Sequence, residues 1–188
     1  MAVIDQNLTW KKAEERLAVE TDPVLRRNLE LLLQHMKAEA TLDMDLLMAT
    51  VSEQAKYHVY TENQTEPNHV GKAAVQKFYE DFAASGAGKL HHDIDRLVVD
   101  RDCILTEGTM RMAYPGRLLA AMGIPVDDEN ADYLYESRMA IVWPIDQDGL
   151  FIGEDAYNGG NGFDGIADRK IDPADIVLYR PDALSGAR

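Results

Sequence analysis

The sequence predicts an α+β domain, and three observations predict it. Residues 29–42 read as a helix apolar over more than half its circumference. Leu29, Leu32, Leu33, Met36 and Ala40 fall at i, i+3, i+4, i+7 and i+11, and Leu31, Ala38 and Leu42 widen the stripe. From Lys89 onward the hydrophobic period shortens to the two-residue alternation of strands. No βαβ alternation accompanies them: neither GxGxxG nor a P-loop occurs in context, and GGNG at 159–162 follows a strand but opens no helix. Helices followed by a meander of long antiparallel strands put the helices on one face of the sheet.

In chain order, residues 5–20 form a first helix, with Trp10, Ala13 and Leu17 along one side. Asp22-Pro23 restarts the chain as a helix, Asp at the N-cap and Pro at the first helical position, where its missing N–H costs nothing. That helix runs to about Ala40. Asp43 takes a cap position again, ahead of Leu46, Leu47 and Val51. Residues 55–61 alternate as a strand, Tyr57 and Val59 on one face, His58 and Tyr60 on the other. A polar loop, ENQTEPNH, leads to Gly71. Residues 72–84 are helical again, burying Ala74, Val75, Phe78 and Phe82, and Ser85-Gly86-Ala87-Gly88 stops them. Residues 90–100 and 103–114 make a hairpin about Arg101-Asp102. The segment 115–132, holding Leu118, Leu119, Met122 and Ile124, is too long for a hairpin turn and reads as a lid or an insertion. Residues 133–145 form the longest strand, and 150–157 the last. The chain divides into an N-terminal helical extension (1–26), a main domain (27–160) and a C-terminal tail (161–188).

Composition excludes several functions. A net charge of −14 offers no basic footprint for nucleic acid or for an anionic membrane. No apolar run approaches a membrane span, and MAVIDQNLTWKK lacks the apolar core of a signal peptide, so a cytoplasmic protein is expected. The single cysteine, Cys103, permits no intrachain disulfide and reads as a small core residue.

Inside the apolar arc of residues 29–42 lie two ionisable residues, His35 and Glu39, at i, i+4. A helix buried over so wide an arc turns both toward something enclosed. Two roles fit Glu39: a buried hydrogen bond or ion pair with His35, or a carboxylate whose affinity for protons is raised for general-base work. Tyr57 suits either core packing or donation to a developing oxyanion. Glu107 and Arg111 share one face of the first hairpin, Arg138 alternates with the apolar residues of the long strand, and Glu154 sits on the last strand with Tyr157 at its end. A cross-strand Glu–Arg ion pair is one reading; the other is substrate binding, with Arg138 meeting a carboxylate or carbonyl and Glu107 and Tyr157 beside it. His91-His92 carries no metal reading, because adjacent strand residues point to opposite faces.

The order LDMDLLMATVSEQAKYHVYTE, then GKAAVQKFYEDF, then hairpins ending DQDGLFIGEDAY resembles the nuclear transport factor 2-like superfamily and, within it, the SnoaL-like group. The resemblance covers roughly residues 27–160. It implies a cone-shaped α+β barrel, a curved antiparallel sheet wrapped around one long helix with a deep apolar pocket. It implies a small hydrophobic ligand, a homodimer, and in many members cofactor-independent dehydratase, cyclase or isomerase chemistry. Glu39 matches the acidic position of dehydratase-like members, where Asp is usual, and His91 and His92 both lie near their histidine. The ketosteroid isomerase base would fall at about Val59, so that mechanism's base is missing. A non-catalytic binding or dimerisation domain fits the same fold, which does not settle function.

Overall fold

The computed structural model describes residues 2–60 and 66–181. Thr61 at the end of the expected strand, the first half of the ENQTEPNH loop and the last seven residues lie outside them. The N-terminal stretch is not one helix. It forms a short strand β1 (Ile4–Asp5), a 3-10 turn and then α1 (Lys11–Val19), because Asp5 caps the turn through Asn7 N–H and Trp10 starts a new helix. The long helix α2 (Pro23–Thr41) begins where Asp22 accepts from the amides of Val24 and Leu25. Asp43 likewise accepts from Leu46 N–H at the start of α3 (Met44–Met48). Then follow β2 (Val51–Tyr60), β3 (His69–Val70), α4 (Lys72–Ser85), β4 (Leu90–Val99) and β5 (Cys103–Pro115). The remaining elements are α5 (Gly116–Ala121), β6 (Asp132–Pro144), β7 (Phe151–Asn158), β8 (Lys170–Ile171) and β9 (Ile176–Val177).

The main sheet is curved and open, in the order β3-β2-β7-β6-β5-β4 with β8 appended to β6. It is mixed rather than wholly antiparallel: β7 returns beside β2 and runs parallel to it, Tyr57 opposite Glu154 and Tyr60 opposite Tyr157. Side-chain alternation assigns faces but carries no information on a neighbour's direction, so the sequence could not supply this pairing. The β4–β5 register shifts between Ile94 and Arg96, and Gly108 lies across from the irregularity. A Cβ at Gly108 would sit 2.1 Å from the Asp93 carbonyl oxygen, so only glycine lets the strands close there.

Packing explains why α2 is apolar over so much of its surface. Leu29, Leu32, Leu33 and Met36 pack with Ile104, Ile141, Trp143 and Phe151 of the sheet in the main core. Fully burying Leu29 and Leu32 contributes about 1.5–3 kcal/mol each. Ala38 turns to a second core with Leu47, Val51, Tyr57, Val75 and Tyr79. The 115–132 segment is an ordered insertion: it carries α5, Leu119 is buried, and the Tyr133 hydroxyl ties it down through Asp127 and Asp128. The segments outside 27–160 meet each other, β1 pairing with β9 in a two-stranded parallel sheet.

Candidate active site

Between α2, α4 and the sheet lies a cavity of about 360 Å³. Its walls are apolar and unusually rich in methionine: Met36 from α2, Met110 and Met112 from β5, and Met139 from β6. Aromatic rings close it, with Phe78 and Phe82 from α4, Tyr135 and Trp143 from β6, and Phe163 from the glycine-rich segment after β7. Phe163 stands edge-on to Tyr114 and Tyr135 at 5.0 and 4.9 Å. The chain can bring it there because Gly162 lies directly against the Tyr135 ring, where a Cβ would come within 2.3 Å. None of the insertion residues 116–131 lines the cavity among the described residues.

Two carboxyl groups face this apolar space. Glu39 arrives from the last turn of α2, one turn beyond Met36, and Glu154 from β7, on the same strand face as Ala156 and Asn158. Burial, the largest cause for each, raises the pKa of both far above the ordinary carboxylate range, and a negative charge on either one opposes ionisation of the other. Both residues line the cavity and keep some exposed surface. Behind Glu154 runs a line of buried polar groups. Tyr79 Oη lies 3.1 Å from Glu154 Oε2 and 3.1 Å from His35 Nε2; His35 Nδ1 lies 2.7 Å from Thr50 Oγ1, which in turn donates to the Leu47 carbonyl at 2.6 Å.

The structure places the other sequence candidates as follows. His35 is fully buried outside the cavity, and both its nitrogens are engaged by Thr50 and Tyr79, so it forms no pair with Glu39. Burial lowers its pKa to about 3 and keeps it neutral. His92 lines the cavity and its Nε2 has no partner; burial, the largest cause, lowers its pKa to about 4. His91 points the opposite way and is buried against the N-terminal strand, near Asp5, so it does not share the cavity. Tyr57 lies in the second core, edge-on to Tyr79 at 6.1 Å, with a buried hydroxyl that makes no hydrogen bond of normal geometry. Burial, then the Glu154 and Glu39 charges, raise its pKa well above that of an ordinary phenol.

Glu107, Arg138 and Tyr157 are outside the cavity. Arg138 bridges Glu107 and Asp95 on the outer face of the sheet, Glu107 also holds Arg96, and the period-2 alternation that buries Met139 turns Arg138 to solvent. Tyr157 is 46% exposed and stacks on Tyr60 at 4.6 Å. Their substrate-binding role therefore lacks a geometric basis. Three residues of the buried cluster had no site role in the sequence: Thr50, Tyr79 and Glu154, the last placed only on its strand. Tyr79 is one helical turn from Val75, a spacing that marks it as buried. Glu154 shares its strand face with Ala156, the signal that a charged residue there faces inward. Among the described residues no group of three or more His, Cys, Asp or Glu side chains is placed to hold a metal ion. No helix among them is long and apolar enough to cross a membrane.

The fold has counterparts among known proteins. Two proteins provisionally assigned as SnoaL-like polyketide cyclases share the fold at 12% identity. The one from Shewanella putrefaciens CN-32 superposes with a TM-score of 0.60 over 84% of this chain and 92% of that one. The one from Shewanella denitrificans OS-217 gives 0.59 over 79% and 97%. SalBIII, an epoxide hydrolase/cyclase-like enzyme of pyran ring formation in the polyether salinomycin, matches with a TM-score of 0.52 and 11% identity, over 82% of this chain and 97% of that one. At such identities the likeness is one of fold. No curated protein matches the sequence significantly. Residues 32–152, more than half of the chain, match the model of the SnoaL-like domain, the stretch that carries the C-terminal half of α2 with Glu39 and the main sheet up to the start of β7. The chain belongs to the SnoaL-like domain family.

Proposed function

We propose that the chain binds a small hydrophobic molecule in the cavity and acts on it by cofactor-independent acid–base chemistry, as a lyase, isomerase or cyclase. One observation carries the reading: Glu39 and Glu154 face the same apolar cavity, with proton affinities raised toward neutrality. Two carboxyl groups that oppose each other's ionisation divide into a proton donor and a proton acceptor. A substrate held between them can lose a proton from carbon or hydroxyl on one side and gain one at oxygen on the other. Dehydration, isomerisation and ring closure all need that pair of transfers and no electron sink. A volume of about 360 Å³ with mostly apolar walls suits a small organic ligand. The names of the structural neighbours, cyclases among them, agree with this class by analogy of fold.

The test is isotope exchange in heavy water followed by NMR, on a panel of ketones, β-hydroxy carbonyl compounds and hydroxy-epoxides. Wild-type protein is expected to wash out a substrate proton or convert a panel member. Glu39→Gln and Glu154→Gln are each expected to lose about 10²- to 10⁴-fold in rate, the worth of a general acid or base. Equal rates in all three proteins would remove the pair from the chemistry.

A second reading is a ligand carrier, favoured by the four methionines of the lining, whose flexible thioethers adapt to varied shapes. A carrier would retain an unaltered apolar molecule through purification, detectable by mass spectrometry of the denatured protein. Pairing with a second copy and a cytoplasmic location belong to the same proposal. Sedimentation checks the first and fractionation the second.

A further inference from the structure

The buried polar line behind Glu154 has a direction, and the direction follows from counting protons. It ends at the Leu47 carbonyl, which only accepts. Thr50 Oγ1 lies 2.6 Å from that oxygen, a separation that two lone pairs would resist, so the Thr50 proton lies between them. With its proton committed there, Thr50 Oγ1 meets His35 Nδ1 at 2.7 Å as an acceptor, and Nδ1 carries the hydrogen. His35 is buried and neutral, so Nε2 is bare and needs a donor. Among the described residues the donor that reaches it is the Tyr79 hydroxyl at 3.1 Å. Tyr79 has one proton; having given it to His35, it offers Glu154 Oε2 only a lone pair, also at 3.1 Å. That contact is a hydrogen bond only if Glu154 brings the proton.

We infer that the chain Leu47–Thr50–His35–Tyr79 holds Glu154 as the protonated, proton-donating member of the pair and leaves Glu39 as the acceptor. The inference rests on the acid–base reading above and assigns its two roles. In the reaction Glu154 gives its proton to a substrate oxygen while Glu39 takes one from carbon or hydroxyl. The protein's proton count is unchanged, and exchange with water restores the starting state. Thr50, His35 and Tyr79 are positioning residues: they touch Glu154 or one another and fix which carboxyl is the acid. The opposite direction would put the His35 hydrogen on Nε2 and the Tyr79 proton on an ionised Glu154. It would also leave Thr50 Oγ1 and the Leu47 oxygen in contact with no proton between them. Titratable groups around Glu154 come from each neighbouring element: Glu39 of α2, Tyr57 of β2, Tyr79 of α4, and Asp155 beside it on β7. His92 of β4 lines the same cavity.

The experiment is a titration of the ligand-free, full-length protein by carbon NMR with the glutamate carboxyl carbons labelled. Glu39→Gln and Glu154→Gln serve only to assign the two signals. Glu154 is expected to keep its proton to higher pH than Glu39. Nitrogen NMR of the same protein is expected to find His35 protonated on Nδ1 and bare on Nε2. Thr50→Val, which touches neither carboxyl, frees His35 to move its hydrogen to Nε2, and the Glu154 midpoint is expected to fall by about one pH unit, the worth of one hydrogen bond. Thr50→Ser retains the hydroxyl and is expected to leave the midpoint in place. The inference is overturned by Glu39 holding its proton longer, by an Nε2–H tautomer in the wild type, or by a Glu154 midpoint indifferent to Thr50→Val. The wild-type readings stand even if a variant fails to fold. Because no substrate is involved, the expected titration order without turnover would sink the enzyme reading alone, and turnover with the reverse order would sink this assignment alone.

Discussion

His92 is the residue whose burial makes the clearest demand on the fold. It is 2% exposed, its Nε2 is unpartnered, and its pKa in the fold is lowered from 6.5 to about 4. As pH falls below 6.5 the unfolded chain takes the proton first. The stability contributed by a neutral His92 is therefore complete above about pH 6.5 and is lost as pH falls toward 4, at about 1.4 kcal/mol per pH unit. His35, lowered to about 3, adds a second such slope that continues to lower pH. The carboxyl pair has the opposite sign: with pKa values raised by burial, it favours the fold at low pH and withdraws that support as pH rises above the ordinary carboxylate value. His92→Gln is expected to flatten the acid limb between about pH 6.5 and 4 by about 1.4 kcal/mol per unit while leaving the His35 slope. Thermal unfolding at a series of pH values measures it, and an unchanged limb would mean that His92 is already solvated. Which of His91 and His92 faces inward was not legible in the sequence. Adjacent strand residues take opposite faces, and LHHDID is compatible with either assignment until the N-terminal strand is seen to cover His91. Glu39 was legible as a carboxylate inside an apolar arc. Its partner was not, because one inward-facing glutamate on a strand resembles any cross-strand ion-pair residue.

Elements were legible where local chemistry sets their ends. Asp22-Pro23 and Asp43 place the starts of α2 and α3 through side-chain bonds to the first free amides, which depend on nothing distant. The alternation in β5 and β6 sorts inner from outer residues over thirteen positions each, with Met139 inward and Arg138 outward. The parallel β2–β7 pairing was not legible, since it depends on where the chain returns and not on any local pattern. The glycine-rich segment after β7 was equally opaque: its role is to let a ring approach another ring. Gly162→Ala tests this. The added Cβ would meet Tyr135 at 2.3 Å, so Tyr135 or Phe163 must leave its place in the cavity wall. A stability loss of about 1–3 kcal/mol is expected from the overpacking. Weaker retention of an apolar fluorescent probe should accompany it. Destabilisation without any change in probe binding would show that the segment packs against the fold without shaping the cavity.

At the scale of the whole molecule, the stretch that carries the family's features is smaller than the unit that closes the site. Thr9 from the N-terminal segment and Phe163 from beyond β7 both line the cavity, and both lie outside residues 32–152. The two terminal segments are also joined to each other. Ile4 is fully buried with Ala113 and Ile171, Trp10 stands edge-on to Tyr179 at 4.7 Å, and the buried Gln6 side chain accepts from Tyr179 N–H at Oε1 and donates from Nε2 to the Gly88 carbonyl. Ile4, Trp10, Ile166 and Ile171 are all at most 6% exposed, and burial of each contributes about 1.5–3 kcal/mol. Together that is comparable with the whole stability of an ordinary domain, about 5–15 kcal/mol. A fragment of residues 27–160 is therefore expected to lose cooperative unfolding in urea or to unfold at a much lower midpoint than the full chain. It should also take up the apolar probe poorly, because two walls of its cavity are missing. Circular dichroism across a urea series reads the first effect and probe fluorescence the second. A fragment as stable as the full chain would make the paired termini a surface addition. A fragment that is destabilised but binds the probe normally would separate their support of the fold from any part in the cavity.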